Sequence, residues 1–595
     1  MKTERAAHIV FGTPELAFTV FASLTPHDLT QCIRVCKDWQ HYAEPVLWTN
    51  FCYGGFRRTT LPPKTTAGLV RNLPHIRVVE LPLQEHAVLQ ELVPSATEGS
   101  QPRDSALDPR APCTQLRRLS LANSESMRNG MYSFTPYIIK DFPPVLSNIV
   151  TLLSNNVHLT HLTFPFPEVT ADDPVLVAIS NLKNLQYLAV NSNNSSSMSM
   201  RSIALLLRVS LPLPKLTGLC INSGNSGRYW NEGDVMSDIE TIIKEAAIAR
   251  FSQTPTPVKI KALQLPCSLE DKETPLTLAF LKSDLLDLET FRMPPFDNDS
   301  HWKTIYQLFD ERHPNLKHLR YSFHTDNRDD TQCLLSCIRG CSGLRSFASD
   351  GFRDQAYRAE DDSDVSRCIF SDLVRHHCDT LEDIELKSCF QVTSGDLQNI
   401  LSRCKQLKRL HVSGLFKETR DDRHLDGDAG FDIKDALKDV WVCTELRELW
   451  ITLGRNSFLD VDRFYRQIGR LEKLEHLTLD VHRRRYVKTD MWGDDIYNWD
   501  YDVNHRLLRS SLDEMAGLKN LKSLRLAAEL CKEMGQPEVE FIREHWPMLR
   551  EITILGSKGL KLLTKKRWQW LFNKWPHLRL NVLDNEKMIE AMRYI

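Results

Sequence analysis

No apolar run in this chain approaches the roughly 18 residues needed to span a bilayer. No long apolar core follows the basic residues of MKTERAAHIVF, so a secretory signal is not expected either. Net charge is also missing. The 75 Lys and Arg stand against 77 Asp and Glu, a formal −2, so no global positive field would hold nucleic acid or an anionic membrane. The usual catalytic motifs are absent as well: there is no GxxxxGK[ST] phosphate loop, no HExxH, no GxSxG and no GxGxxG after a strand. No cysteine/histidine cross-brace of the RING type occurs, so no catalytic residues and no cofactor are expected. The fifteen cysteines cannot all pair within the chain, because fifteen is odd. Without an export route they read as reduced thiols of a cytoplasmic or nuclear protein. What remains is an ordinary globular balance over 595 residues, 42% apolar and 26% charged, enough for several domains or one long array.

The chain does contain a repeat. An apolar residue, two variable ones, a second apolar, one variable and a third apolar recur along it. Clear copies are Leu116-Leu119-Leu121, Leu159-Leu162-Phe164, Leu185-Leu188-Val190, Leu316-Leu319-Tyr321, Leu381-Ile384-Leu386, Leu446-Leu449-Ile451 and Leu549-Ile552-Ile554. Leu288, Leu316 and Leu344 are each 28 residues apart, and Leu381 and Leu407 are 26 apart. A short strand burying one side and an amphipathic helix returning the chain account for that period. One such unit cannot bury its own apolar face, so the units must stack. Cys113, Cys341, Cys378, Cys404 and Cys443 each fall three residues before a first leucine, in register with the repeat. That register favours packing over zinc for Cys333-x3-Cys337-x3-Cys341 and for His376-His377-Cys378.

These residues resemble the leucine-rich-repeat family, especially its cysteine-containing type, over about residues 76–595. LEDIELKSCFQVTSGDLQNILSRCKQL is the best match, with Cys389 where that type carries Cys or Asn. The resemblance implies an α/β solenoid of about 16 divergent repeats, curved, with a parallel sheet on its concave face. Insertions are expected at 94–112, 351–367, 417–430 and 482–505.

Residues 9–50 follow another grammar. Thr13-Pro14 and Thr25-Pro26 each read as an N-cap followed by Pro at the first helical position. Asp28 completes a capping-box variant. Leu16, Val20 and Leu24 fall four apart, and Leu29, Cys32, Ile33, Cys36 and Trp39 continue at helical spacing. Some 40 residues of short helix are marginal alone and carry more apolar side chains than their own core can use, so a partner is expected. The string PELAFTVFASLTPHDLTQCIRVCKDWQHYAEPVLW resembles the F-box motif, with Thr13 in place of the usual Leu before Pro. The resemblance implies a short all-helical F-box before the array, joined to it by a connector at 51–75, and docking on a Skp-type adaptor, itself held by cullin and RING subunits. Pro14, Leu16, Leu24 and Leu29 are then the candidate adaptor contacts. Cys32, Val35 and Trp39 fit either contact or helix packing.

On the strands, the variable residues flanking the second and third apolar positions are expected on the concave side. They include Arg292, Arg320, Arg409, His411, Trp450, His476 and Arg525, with the acids Asp383, Glu385, Glu448 and Asp480 among them. This basic-leaning surface with an aromatic anchor suits an acidic or phosphorylated segment of a protein substrate. Exposed charges kept for solubility give the same pattern. The 482–505 insertion interleaves Trp492, Tyr497, Trp499 and Tyr501 with acids, behind Arg483-Arg484-Arg485. It is either a recognition loop or a cover for the neighbouring repeat.

The expected function is that of a non-catalytic substrate-recognition subunit of a Skp–cullin–F-box ubiquitin ligase. The competing reading is a leucine-rich-repeat scaffold or inhibitor without a ligase role.

Overall fold

In the computed structural model the repeat folds as strand and helix in alternation. Described residues are 13–52, 63–82, 113–122, 142–166, 168–192, 199–222, 233–253, 258–265, 274–293, 312–322, 328–350, 363–387, 394–413, 438–453, 461–481, 485–489, 495–499, 512–527, 536–555 and 578–583, with a few single positions between. The chain divides into two units, Met1–Ser268 with Pro275–Asp287 and Tyr594–Ile595, and Leu269–Thr274 with Leu288–Arg593.

The first unit opens with three helices, α1 (Pro14–Ala22), α2 (Pro26–Cys32) and α3 (Lys37–Thr49), then strand β1 (Asn50–Cys52) and helix α4 (Pro63–Asn72). Strands β2 (Val78–Pro82), β3 (Arg118–Ala122), β4 (His161–Phe166), β5 (Tyr187–Ser192), β6 (Gly218–Asn222) and β7 (Ile260–Gln264) follow. Each pairs in parallel with the next in sequence. Helices such as α5 (Phe142–Asn155), α6 (Pro174–Ser180), α7 (Met200–Ser210) and α8 (Gly233–Gln253) supply the long crossovers that parallel strands need.

The second unit repeats the plan. Its strands are β8 (Leu286–Met293, from Leu288 on), β9 (His318–Ser322), β10 (Ser346–Asp350), β11 (Asp383–Lys387), β12 (Arg409–Ser413), β13 (Glu448–Leu453) and β14 (His476–Val481). An antiparallel hairpin, β15 (Arg485–Thr489) and β16 (Asp495–Trp499), precedes β17 (Ser523–Ala527), β18 (Glu551–Leu555) and β19 (Arg579–Leu583). The hairpin apart, neighbours again pair in parallel.

The second apolar residue of each repeat stacks in one row. Leu319, Phe347, Ile384, Leu410, Leu449, Leu477, Leu524 and Ile552 are in register, each at most 1% exposed. Each such side chain contributes roughly 1.5–3 kcal/mol of burial, an upper bound since the unfolded chain hides part of it. The cysteines behave as packing residues. Cys113, Cys404 and Cys443 are at most 1% exposed, and burial pushes all three thiols up to about 12.

A second device recurs without a shared residue type: a buried polar side chain clamps the turn of the preceding repeat. Asn156 accepts from the Leu116 amide (2.8 Å) and donates to the Cys113 carbonyl (2.7 Å). Arg250 donates to the carbonyls of Leu213 and Leu216. Trp546 donates its indole N–H to the Met515 carbonyl at 3.0 Å. His377, at the end of helix Ser363–His377, accepts from the Leu344 amide at Nδ1 (3.3 Å) and lies 2.7 Å from the Ile338 carbonyl at Nε2. Both ring nitrogens of this histidine are therefore committed to holding two repeats together.

Two boundaries differ from those drawn on the sequence. The array begins at β1, inside the stretch read as F-box end and connector, because Trp48 and Phe51 take the places of the first two leucines and stack at 5.8 Å. Residues 363–367, counted within the 351–367 insertion, open the helix Ser363–His377. The 482–505 insertion contains the β15–β16 hairpin, where ladder pairing sets Arg485 opposite Trp499 and Val487 opposite Tyr497. Residues 94–112, 351–362 and 417–430, with Cys389 and Trp492, lie outside the described residues.

Candidate protein-binding surfaces

The helical trio packs around Ala17, Phe21, Leu29 and Ala43, with Leu24, Cys32, Ile33, Trp39 and Tyr42 closing over it. Pro14 starts α1 after an extended Thr13. Thr25 accepts from the Asp28 amide at 3.3 Å and donates its hydroxyl to the Asp28 carboxylate at 2.6 Å, which fixes the start of α2. This small core leaves large apolar side chains in solvent: Leu16 is 46% exposed, Phe18 39%, Val20 41% and Val35 62%. Leu16 and Val20 lie one turn apart on α1, so they share a face.

Of the candidate contacts, Pro14, Leu16 and Val35 are exposed, while Leu24, Cys32 and Trp39 are half-buried against the core. Leu29 is 3% exposed and belongs to the core that the three helices share. It is not available as a contact. Val20 and Phe18, not picked out as contacts, are exposed; the signal for Val20 was its four-residue step from Leu16.

This module is tied to the sheet. Helix α3 runs straight into β1, and the Arg77 amide donates to the Thr49 carbonyl at 2.9 Å. Glu44 on α3 accepts from Arg71 (2.7 Å) and Asn72 (3.2 Å) on α4, and from Gln40 (3.1 Å). Burial alone would raise the Glu44 carboxyl, but these hydrogen bonds and the Arg71 charge hold it below its ordinary value. Gly68 lets α4 meet Trp48, whose ring carbon would stand 2.7 Å from an added Cβ. A load placed on α1–α3 therefore passes to the sheet through α3.

In the second unit, Arg292, Arg320, Ala348, Glu385, His411, Trp450, Thr478, Arg525 and Thr553 form one in-register row on the face away from the leucines. Arg409 and His476 fall in the adjacent row of that face. All seven strand residues singled out from the sequence thus share one surface. Much of its charge is already matched. Arg409 makes a two-pronged pair with Asp383. Arg320 reaches across Ala348 to Glu385, 3.7 Å away, and Lys387 pairs with the same carboxylate. His411 stacks on Trp450 at 4.0 Å and 12°. Burial, with Lys387 and Arg525 nearby, holds His411 down to about 3, so this ring is neutral. Tyr497 and Trp499 fall on β16, away from that row in sequence.

Strand–helix repeats with a leucine row in register make each unit a leucine-rich-repeat array. Before it stands a second class of module: residues 14–54 match the F-box-like family. No curated protein matches the chain. Among solved structures, one similar chain comes from the crystal structure of the Rad7 and Elc1 complex in yeast. It is 13% identical, with 78% of this chain and 92% of that chain covered and a TM-score of 0.40. Another is the leucine-rich repeat-containing protein LegL7 from Legionella pneumophila, 10% identical, with 68% and 97% covered and a TM-score of 0.27.

Proposed function

We propose that this chain is the substrate-recognition subunit of a Skp–cullin–F-box ubiquitin ligase, working in the cytoplasm or nucleus. In this reading α1–α3 hold a Skp-type adaptor, through it cullin and RING subunits, and the repeats hold a protein substrate. The observation that carries it is the F-box-like segment at 14–54, whose small core leaves Leu16, Phe18, Val20 and Val35 in solvent. Four large apolar side chains on so small a module favour a partner that covers them. The chain supplies no chemistry of its own. It supplies proximity, holding a substrate lysine near a charged ubiquitin carrier and raising the effective concentration of the two. The tie from α3 through Glu44 and β1 to the sheet suits that role, because a loose hinge would dilute it.

The test is co-purification of the full chain with a Skp-type adaptor, against Leu16→Asp/Val35→Asp. Substitution is better than deletion here, since α3 packs on α4 and leads into β1. The wild type should form a 1:1 complex, and the double variant should lose it while melting at the same temperature. A folded wild type that ignores the adaptor would leave the helices as a cap on the first repeat, and the scaffold reading would take over.

A further inference from the structure

Among the described residues of the second unit's open face, two stacked rings hold buried polar atoms that are not matched internally. Trp450 is 9% exposed, its indole Nε1 is buried, and that nitrogen has no hydrogen-bond partner. The Nε2 of His411, stacked against it, is likewise buried without a partner. A buried N–H left unpaired costs about 1–3 kcal/mol, so such atoms in a surface row mark a place awaiting an acceptor. Two strands further along the same row, past Thr478, lies Arg525. Among the described residues from β9 to β17, the other cations of this face, Arg320, Lys387 and Arg409, are paired to carboxylates. Among the described residues the Arg525 side chain has no ion pair and no hydrogen bond, and it is only half-buried.

We infer that Trp450, His411 and Arg525 form a subsite for a peptide segment that bears a single carboxylate and no other charge. The carboxylate would sit on the Arg525 guanidinium, and an acceptor of the same segment would take the Trp450 N–H. An aromatic or aliphatic side chain of the segment covers the His411–Trp450 plate. Strand spacing puts Trp450 and Arg525 about 10 Å apart in the ladder, which an extended segment spans in about three residues. One carboxylate fits better than a polyanion. Glu448 and Glu551 stand in the neighbouring row, Glu551 already holding Asn581, and would repel further negative charge. The inference rests on reading the repeats as the substrate-binding part, and it does not need the adaptor.

The experiment is selection of phage-displayed random dodecapeptides on the immobilised full chain, followed by affinity measurement of the enriched peptides. Enrichment should favour one Asp or Glu, or a free C-terminus, about three residues from an aromatic or aliphatic residue. Amidated and free-acid versions of each peptide separate side-chain carboxylates from terminal ones. Exchanging the acid for its amide, or Arg525→Gln in the protein, should weaken binding about tenfold, as expected for a charge-assisted pair. Trp450→Phe keeps the ring on His411, removes the N–H, and should cost about threefold. Enriched peptides without an acid, or binding indifferent to Arg525→Gln, overturn the inference. So do phosphoserine versions that bind much more tightly than the Glu ones. Should Trp450→Phe fail to fold, Arg525→Gln still decides. A chain that holds the adaptor but selects no such peptide refutes this subsite alone. One that selects them without the adaptor supports the subsite and counts against only the ligase reading.

Discussion

The two units ladder their strands in the same register but line them with different chemistry. On the open face of the first, Ser120, Thr163, Ala189 and Cys220 succeed one another in a row of small neutral side chains, and Tyr187 lies over Gly218 in the adjacent row. The matching row of the second runs through Arg320, Glu385, His411, Trp450 and Arg525. The contrast extends to the residue just before each strand. In the first unit this position mixes Arg77 and Arg117 with the neutral Thr160, Gln186 and Thr217, and both threonines turn their hydroxyls onto the carbonyl of the residue before them in the series. In the second, this position is charged throughout: after Glu289 within β8 come Lys317, Arg345, Glu382, Lys408, Arg447, Glu475, Lys522 and Arg550, and from Lys317 on each amide donates to the carbonyl of the residue before it. Leucine rows carry the stability of both units, so the other positions are free to be lined for different partners. The second unit is where charged and aromatic side chains of the open face concentrate.

The largest effect should come from making the same small change in each unit. A Cβ on Gly469 would stand 1.9 Å from the Glu514 carbonyl oxygen, where helix Val461–Gly469 meets the 3-10 turn Leu512–Met515. Backbone cannot step aside, so Gly469→Ala should cost about 3 kcal/mol and lower the melting temperature by about 2–5 °C. A Cβ on Gly218 would meet only the Tyr187 ring, at 2.4 Å, on an open face where the ring can swing. Gly218→Ala should cost about 1 kcal/mol. Thermal unfolding of both variants tests this, and equal losses would deny that the first unit's face is the more yielding.

Acid sharpens the comparison next. His411 titrates near 3 when folded, against about 6.5 unfolded, and burial also lowers His377 and His318 in the second unit. Above pH 6.5 the neutral ring suits both states, so the stability it allows is complete. Below 6.5 the unfolded chain takes up a proton that the folded one refuses, and stability falls as pH drops toward 3. Between pH 7 and 4.5, His411→Phe should remove about 2 kcal/mol of that loss, read from urea midpoints at the two pH values. His161→Phe in the first unit, where burial and Arg118 lower a half-buried ring, should remove less. A wild type whose midpoint ignores pH over this range would sink the assignment.

Much of this was legible beforehand, and the exceptions share a cause. The leucine positions, the cysteine row and the capped helices are local patterns, and local patterns survive without knowing what packs on what. The first strand was missed because its signal is aromatic, Trp48 and Phe51 in place of leucine. The clamps Asn156, Arg250, His377 and Trp546 share a place rather than a chemistry, so no single-residue pattern marks them. Leu29 was a candidate contact through the F-box resemblance, and a motif match does not tell which face the core claims. The open face was found, but not its bookkeeping. Arg320 meets Glu385 only because Ala348 between them is short, and Arg409 and Arg525 look alike until the register shows one paired and the other bare.

The smallest effect tests the charged row itself. Glu475 lies 2.5 Å from Lys522 and 3.9 Å from Arg447, and Glu382 sits in the same way between Lys408 and Arg345. The lysine hydrogen bond is the main reason each carboxyl stays below its ordinary value, with the neighbouring charges adding to it. These groups are partly solvated, so each pair stabilises by only about 0.5 kcal/mol at low salt. At about 1 M salt, screening acts within about 3 Å and the gain should vanish. Glu475→Gln should therefore lower stability slightly in dilute buffer and not at all in 1 M salt. Thr160→Val in the first unit removes a 2.8 Å hydrogen bond to the Arg117 carbonyl, a neutral contact that salt does not screen. Its cost, also under about 1 kcal/mol, should be the same in both buffers. A salt-independent loss at Glu475 would mean that the row works by packing of the lysine and arginine stems, and the electrostatic contrast between the units would fall.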